Sequence, residues 1–144
     1  MTLILVTGSR NFSQDARGYL NFLTQALPQY FIPSDISQNI SVAPTLIHGG
    51  ARGADTAFGQ AAAERGWTVQ SYPADWSKYG RAAGPLRNTD LVNQDPDLAI
   101  VVLAKDSVGT KDCYNKLLKH KGKLKHILLI TETEVKILEV PKSP

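Results

Sequence analysis

Cysteine occurs once, at Cys113, so no internal disulfide framework can hold the fold, and a lone thiol fits a reducing, cytoplasmic setting. Histidine occurs only three times, at scattered positions without zinc-ligand spacing, so neither a metal nor a cofactor is expected. A basic leader is missing. The apolar run in MTLILVTGSR meets a glycine after a few residues and reads as a first strand rather than a signal peptide. No stretch approaches the roughly 18 apolar residues of a membrane helix, so no membrane contact is expected. The chain also lacks GxGxxG and the Lys-Ser/Thr pair of a P-loop, which removes the two familiar phosphate signatures.

What remains is 144 residues at 42% hydrophobic composition, enough for one compact domain over residues 1–144. The net charge of +3 is concentrated in KLLKHKGKLKH, where Lys116, Lys119, Lys121, Lys123 and Lys125 cluster near a helix end. Cations there complement the helix dipole and keep a small domain soluble; a nucleic-acid surface is the lesser reading.

Strand and helix patterns alternate. A strand over Thr2–Thr7 and a turn over Gly8–Phe12 lead to a helix from Ser13 to Leu27, stopped by Pro28. Residues 29–44 carry prolines and polar residues and read as a long connection or lid, anchored by Phe31, Ile32, Ile36 and Ile40. A strand ending at Ile47 precedes an alanine-rich helix, and Trp67–Tyr72 supplies a third strand. A polar, aromatic loop from Pro73 leads to a helix beginning near Pro85 and ending around Asn93 to Pro96. Leu98–Leu103 is apolar throughout, as in a strand covered on both faces; Val108–His120 forms the next helix and Lys125–Thr131 the last core strand. Val135–Val140 reads as a short extra strand, with a fraying end beyond. The pattern predicts an α/β fold: a single doubly wound domain whose mainly parallel five-stranded sheet binds ligands outside the carboxyl ends of its strands.

Four segments should meet at that edge: GSR (Gly8, Ser9, Arg10), HGGARGAD (His48 to Asp55), AGPLRN (Ala83 to Asn88) and VGT (Val108, Gly109, Thr110). In HGGARGAD, Gly49 and Gly50 turn the chain, and Gly53 precedes a helix whose first turn should offer unpaired N–H groups to an anion, with Arg52 beside them. The plain alternative is a corner between strand and helix. Arg10, Arg52, Arg81 and Arg87 at one edge favour an anionic ligand, because a guanidinium pairs bidentately with phosphate. Trp76 and Tyr79, read as loop residues, either stack a base or anchor the loop. No Ser-His-Asp arrangement is legible, so catalysis would fall to a carboxylate: Asp55, Asp75, Asp90 or Asp112. Asp55 and Asp112 are each placed in a first helical turn, where a structural capping role competes.

The order GSR, HGGARGAD, PADWSKYGRAAGPLRN and VGT resembles the YspA-related branch of the SLOG superfamily, a Rossmann-like group that includes Lonely Guy phosphoribohydrolases and DprA. The resemblance covers most of the chain and is weakest over residues 29–44 and after Thr131. It implies a nucleotide or nucleotide-derived ligand held by Gly8, Ser9, Arg10, Gly49 to Asp55, Arg87 and Asn88; the convergence of segments read from the residues themselves adds Trp76, Arg81, Gly109 and Thr110. Lonely Guy enzymes carry PGGxGTxxE. This chain reads AKDSVGTKDC, with Asp106 and Ser107 at the paired glycines and Cys113 at the catalytic Glu. The expected activity is N-glycosidic hydrolysis of a nucleoside monophosphate by a homo-oligomer, with Asp112, Asp55 and Arg87 as the catalytic set. A noncatalytic nucleotide sensor is the alternative, and DprA-like binding of single-stranded nucleic acid ranks third.

Overall fold

The computed structural model describes residues 2–32, 43–105 and 107–141. Of the segment expected to be a lid, Ile36 and Ile40 lie outside the described residues, as does the chain end expected to fray. The elements run β1 (Leu3–Gly8), α1 (Ala16–Ala26), a 3-10 turn (Pro28–Tyr30), β2 (Thr45–His48), α2 (Ala54–Glu64) and β3 (Thr68–Ser71). They continue with α3 (Trp76–Tyr79), a second 3-10 turn (Gly80–Ala82), α4 (Ala83–Val92), β4 (Leu98–Val102), α5 (Val108–Lys119), β5 (His126–Ile130) and β6 (Val135–Glu139).

One mixed sheet of six strands has the order β3-β2-β1-β4-β5-β6. Its first five strands are parallel, because a helical connection carries the chain back between each one and the next in sequence. β6 alone is antiparallel, pairing Ile130 with Val135 and His126 with Glu139, since only a short turn at Thr131–Glu134 separates it from β5. The central strands are buried along almost their whole length, and their side chains alternate between two cores. Ile4, Val6, Ile100 and Leu128 pack under Leu20 and Leu23 of α1 and Phe58 of α2. Leu5, Val101, Ile127 and Leu129 pack under Leu91 of α4 and Cys113 and Leu117 of α5. Among the described residues no helix is long and apolar enough to cross a membrane.

Three local expectations change. α1 begins at Ala16, not Ser13, with Asp15 as its N-cap residue. The stretch read as a loop is partly helical: Asp75 accepts the Lys78 N–H (3.2 Å) and starts α3. α4 then begins at Ala83, with Pro85 third in the helix. Proline is tolerated there because first-turn N–H groups have no helical partner.

The parallel order brings the ends of β1 and β2 and the start of α2 into close contact. Gly8 is wedged between strand and helix, where an added Cβ would lie 2.6 Å from Ala54 Cβ and 2.7 Å from Val102 Cβ. Gly53 adopts φ +86° and leaves no room either, its Cβ position lying 2.3 Å from the Ser9 carbonyl oxygen. Gly53→Ala combines left-handed strain with a backbone clash and should cost about 2–4 kcal/mol in urea denaturation. Gly109→Ala, whose Cβ meets nothing within 4 Å, should change stability by no more than about 1 kcal/mol. Equal losses for the two would refute the close approach at Gly53.

Candidate ligand-binding site

A cleft of about 730 Å³ opens at the carboxyl ends of β1 and β4. From these neighbouring strands the chain proceeds in opposite directions, to β2 and β3 on one side and β5 and β6 on the other. No helix can cover such a switch point, so a crevice forms there. Residues 7–14 at and beyond the end of β1, Ala51, Arg52 and Asp55 after β2, Arg87 and Asn88 of α4, residues 102–105 and 107–110, and residues 130–132 at and beyond the end of β5 form its walls. The volume lies within the range of small-molecule sites.

Two of the converging loops are bonded to each other before any ligand arrives. The Ala54 N–H donates to the Ser9 carbonyl (3.0 Å), and the Ser9 N–H donates to the Val102 carbonyl (3.0 Å). Ser9 Oγ accepts the Asn11 N–H at 3.1 Å. The glycine turn departs from the expectation of N–H groups aimed at a ligand. Gly49 N–H and Ala51 N–H donate to Asp55 Oδ2 (3.1 and 3.3 Å), and Gly50 N–H donates to His48 Nδ1 at 2.9 Å. Gly49, Gly50 and Gly53 therefore support the wall from behind and do not line the cleft. The bond to Nδ1 requires a neutral His48 ring protonated on Nε2; burial, and then the Arg87 charge, hold its pKa below the usual value.

A second network ties α4 to α5. Arg87 Nη1 donates to the Gly49 carbonyl (2.6 Å) and Nε to Asn88 Oδ1 (3.0 Å). Asn88 is buried, and its Nδ2 donates to the Gly109 carbonyl (3.1 Å) and to Asp112 Oδ2 (3.0 Å). Asp112 also accepts from Lys116 Nζ at 2.8 Å, and Lys116 donates in turn to the Pro85 carbonyl at 2.7 Å. Burial pushes the Asp112 carboxyl upward, but the Lys116 and Asn88 hydrogen bonds outweigh it and hold the group below the usual range. This corrects the placement of Asp112: it is fifth in α5, past the first turn, and is not among the cleft-lining residues. At the neighbouring position, burial is the main cause that pushes the Cys113 thiol up to about 12, which makes it inert as a nucleophile.

Among the described residues the lining is cationic: Arg10, Arg52, Arg87 and Lys105 stand against the carboxylates of Asp55 and Glu132. Neither Arg10 nor Arg52 forms an ion pair with a described residue. The α5 N-terminus faces the same space. Ser107 Oγ accepts the Ala104 N–H (3.0 Å) and does not cap the helix, whose first turn holds no acidic residue. Val108, Gly109 and Thr110 thus present a helix start suited to an anion.

Asp55 is the exception to satisfied polar groups. It is 4% exposed, and its Oδ1 is the buried side-chain atom without a hydrogen-bond partner among the described residues. Burial pushes its pKa up to about 6 against the lowering pull of the Ala51 amide, Arg87 and the Gly49 amide. A raised carboxyl pKa beside a ligand-sized cleft is a marker of a functional group.

Of the residues expected at the site, Gly8, Ser9, Arg10, Arg52, Asp55, Arg87, Asn88, Gly109 and Thr110 share this cleft. Trp76 and Arg81 do not. Trp76 sits on α3 with its ring over Gly84, where a Cβ would come within 3.1 Å of it, and so anchors the segment onto α4. Arg81 lies exposed on the second 3-10 turn. Tyr79 is likewise off the cleft, with Lys78 Nζ 5.0 Å from its ring. Residues missed from the sequence include Asn11, Phe12, Lys105, Ser107 and Glu132. The rule that ligands gather at the carboxyl ends of strands, applied to β5, would have found Glu132.

Comparison with known proteins places these motifs. The model of the family described as YspA, cpYpsA-related SLOG family (YAcAr) matches residues 2–79. The Gene 61 protein of Mycobacterium phage D29 is 35% identical over 79 residues, 51% of this chain and 63% of that protein. The chain thus matches less than two thirds of that relative's length. An X-ray structure of TM1055, a structural genomics target, superposes with a TM-score of 0.51 at 17% identity, over 82% of this chain and 69% of the other. That likeness is one of fold. The family match stops before α4 and α5, so the Arg87 side of the cleft lies beyond it.

The ionisation of Asp55 sets a pH dependence. Because its folded pKa of about 6 exceeds the ordinary 3.8, its contribution to stability is fully present below pH 3.8 and lost as pH rises through 6. The loss amounts to about 3 kcal/mol. Asp55→Asn, which keeps an acceptor for the Gly49 and Ala51 amides, should therefore be about 1–3 kcal/mol more stable than the parent at pH 8. The gain should vanish near pH 4 in urea denaturation, and a pH-independent difference would contradict the assignment.

Proposed function

The chain belongs to the YspA, cpYpsA-related SLOG family, and from that premise we propose that it binds a nucleotide or nucleotide-derived ligand in the cleft between β1 and β4. The observation that carries this reading is the convergence of Arg10 and Arg52, which form no ion pair with a described residue, and the start of α5, which the Ser107 side chain does not cap, on one ligand-sized space. Phosphate suits that combination: it accepts bidentate guanidinium bonds and helix-terminal N–H groups together. The apolar lip formed by Phe12 and Val108, the latter 77% exposed, suits the flat face of a base.

The reaction that fits such a ligand is N-glycosidic hydrolysis. It would require one carboxylate to stabilise positive charge on the sugar or to activate water. Asp55, not Asp112, is the candidate, since Asp112 is bonded to Lys116 and Asn88 behind the wall. The same observation supports the second reading, a noncatalytic sensor. With Asp112 ion-paired to Lys116 and the buried Cys113 inert, the α5 position that carries a catalytic Glu in Lonely Guy enzymes, together with the residue before it, offers no free carboxylate here.

Titration calorimetry with nucleoside 5′-monophosphates, followed by chromatography for released base, tests both. Saturable binding should weaken at least tenfold in Arg10→Ala/Arg52→Ala and on removal of the 5′-phosphate. Base release that Asp55→Asn abolishes establishes the hydrolase; binding without release establishes the sensor. Absence of binding across the panel overturns both.

A further inference from the structure

Charge is distributed unevenly along the cleft. The strand order β2-β1-β4-β5 puts Arg52, after β2, and Arg10, after β1, on one side, and Glu132, after β5, on the other. Three strand spacings separate β2 from β5, roughly 14 Å, which is comparable with the span of an extended nucleoside monophosphate. A ligand whose phosphate sits on the arginines therefore carries its base toward Glu132. The apolar lip of Phe12 and Val108 follows β1 and β4 and lies between the two ends.

Glu132 is exposed, so a ligand in the cleft can reach it, and it is also held in position. The turn that carries it is closed by the Thr131 N–H on the Glu134 carbonyl (2.9 Å) and by the Glu134 N–H on Thr131 Oγ1 (3.1 Å). Its Oε1 accepts the Lys105 N–H at 3.0 Å, which ties the carboxylate to the loop after β4 in the same wall. It forms no ion pair with a described residue. Each carboxylate oxygen has two lone pairs, so Oε2 and the remaining site on Oε1 offer adjacent acceptors to whatever occupies that end. Arg10, Arg52, Arg87 and Lys105 disfavour a cationic occupant, which leaves neutral donors.

We propose that Glu132 reads the base of the nucleotide and selects guanine. The inference rests on the nucleotide-binding reading above and holds for either a hydrolase or a sensor. Guanine presents N1–H and its 2-amino group side by side, and two parallel N–H donors match the two oxygens of one carboxylate. Hypoxanthine keeps N1–H but lacks the amine. Adenine and cytosine set a ring-nitrogen acceptor beside their amine, and uracil flanks its single N–H with two carbonyls, so each brings an acceptor against Glu132. The phosphate supplies affinity common to all nucleotides, and Glu132 supplies the discrimination.

Titration calorimetry with the 5′-monophosphates of guanosine, inosine, adenosine, cytidine and uridine tests this. The guanosine form should bind roughly 10- to 100-fold more tightly than the inosine form, as expected for a hydrogen bond to a charged group, and more tightly than the other three. Glu132→Gln keeps an oxygen for the Lys105 N–H but places an NH2 group where Oε2 stood. With its folding checked by circular dichroism, it should bring the guanosine and inosine forms within about threefold of each other. Equal binding of these two forms by the parent protein overturns the inference, as does a guanosine preference that survives in Glu132→Gln. If all five bind alike and lose affinity in Arg10→Ala/Arg52→Ala, the nucleotide-binding reading stands and this inference alone fails. If no nucleotide binds, both fail.

Discussion

The contact of Gly53 with the Ser9 carbonyl is the constraint on which the rest of the site depends. An α2 that begins with Ala54 N–H bonded to Ser9 is held against the end of β1, and a side chain at position 53 would push the two apart. With the loops locked together, Arg10 from one and Arg52 from the other line the same cleft, and neither pairs with a carboxylate of a described residue. Cations gathered along one cleft give it a potential that favours an anion.

Around this contact the polar groups divide by role. Arg87 and Asn88 touch the cleft, but most of their hydrogen bonds run backward, to Gly49, Gly109 and Asp112. They set the distance between the glycine turn and the start of α5, so the two anion-attracting walls keep a common spacing. Asp112 and Lys116 extend the network outward and fasten α5 to the Pro85 carbonyl of α4. Asp55 stands apart, since it braces the glycine turn with one oxygen and leaves the other unsatisfied.

Much of the architecture was legible because burial leaves a periodic trace. Leu98–Val102 is apolar at every position, as a strand covered on both faces must be, and Val135–Glu139 alternates weakly, as an edge strand does. The helix within Pro73 to Ala82 leaves no trace in the sequence, because four-residue α3 is too short to show a helical period and its start depends on the Asp75 side chain. Trp76 and Arg81 lie off the cleft for the same reason. Once α3 forms, Trp76 is carried onto Gly84 of α4.

Sequence alone determined the strand-helix alternation, the edge where the glycine turns gather, and the presence of arginines in those turns, because each follows from local periodicity and backbone preference. Tertiary structure decided which groups face inward. Whether an amide of the glycine turn points at a ligand or at Asp55, and whether Asp112 is free or bound to Lys116, depends on partners from segments distant in the chain. Hydrogen bonds of that kind leave no periodic mark, and only the packed fold brings their donors and acceptors within 3 Å or so of one another.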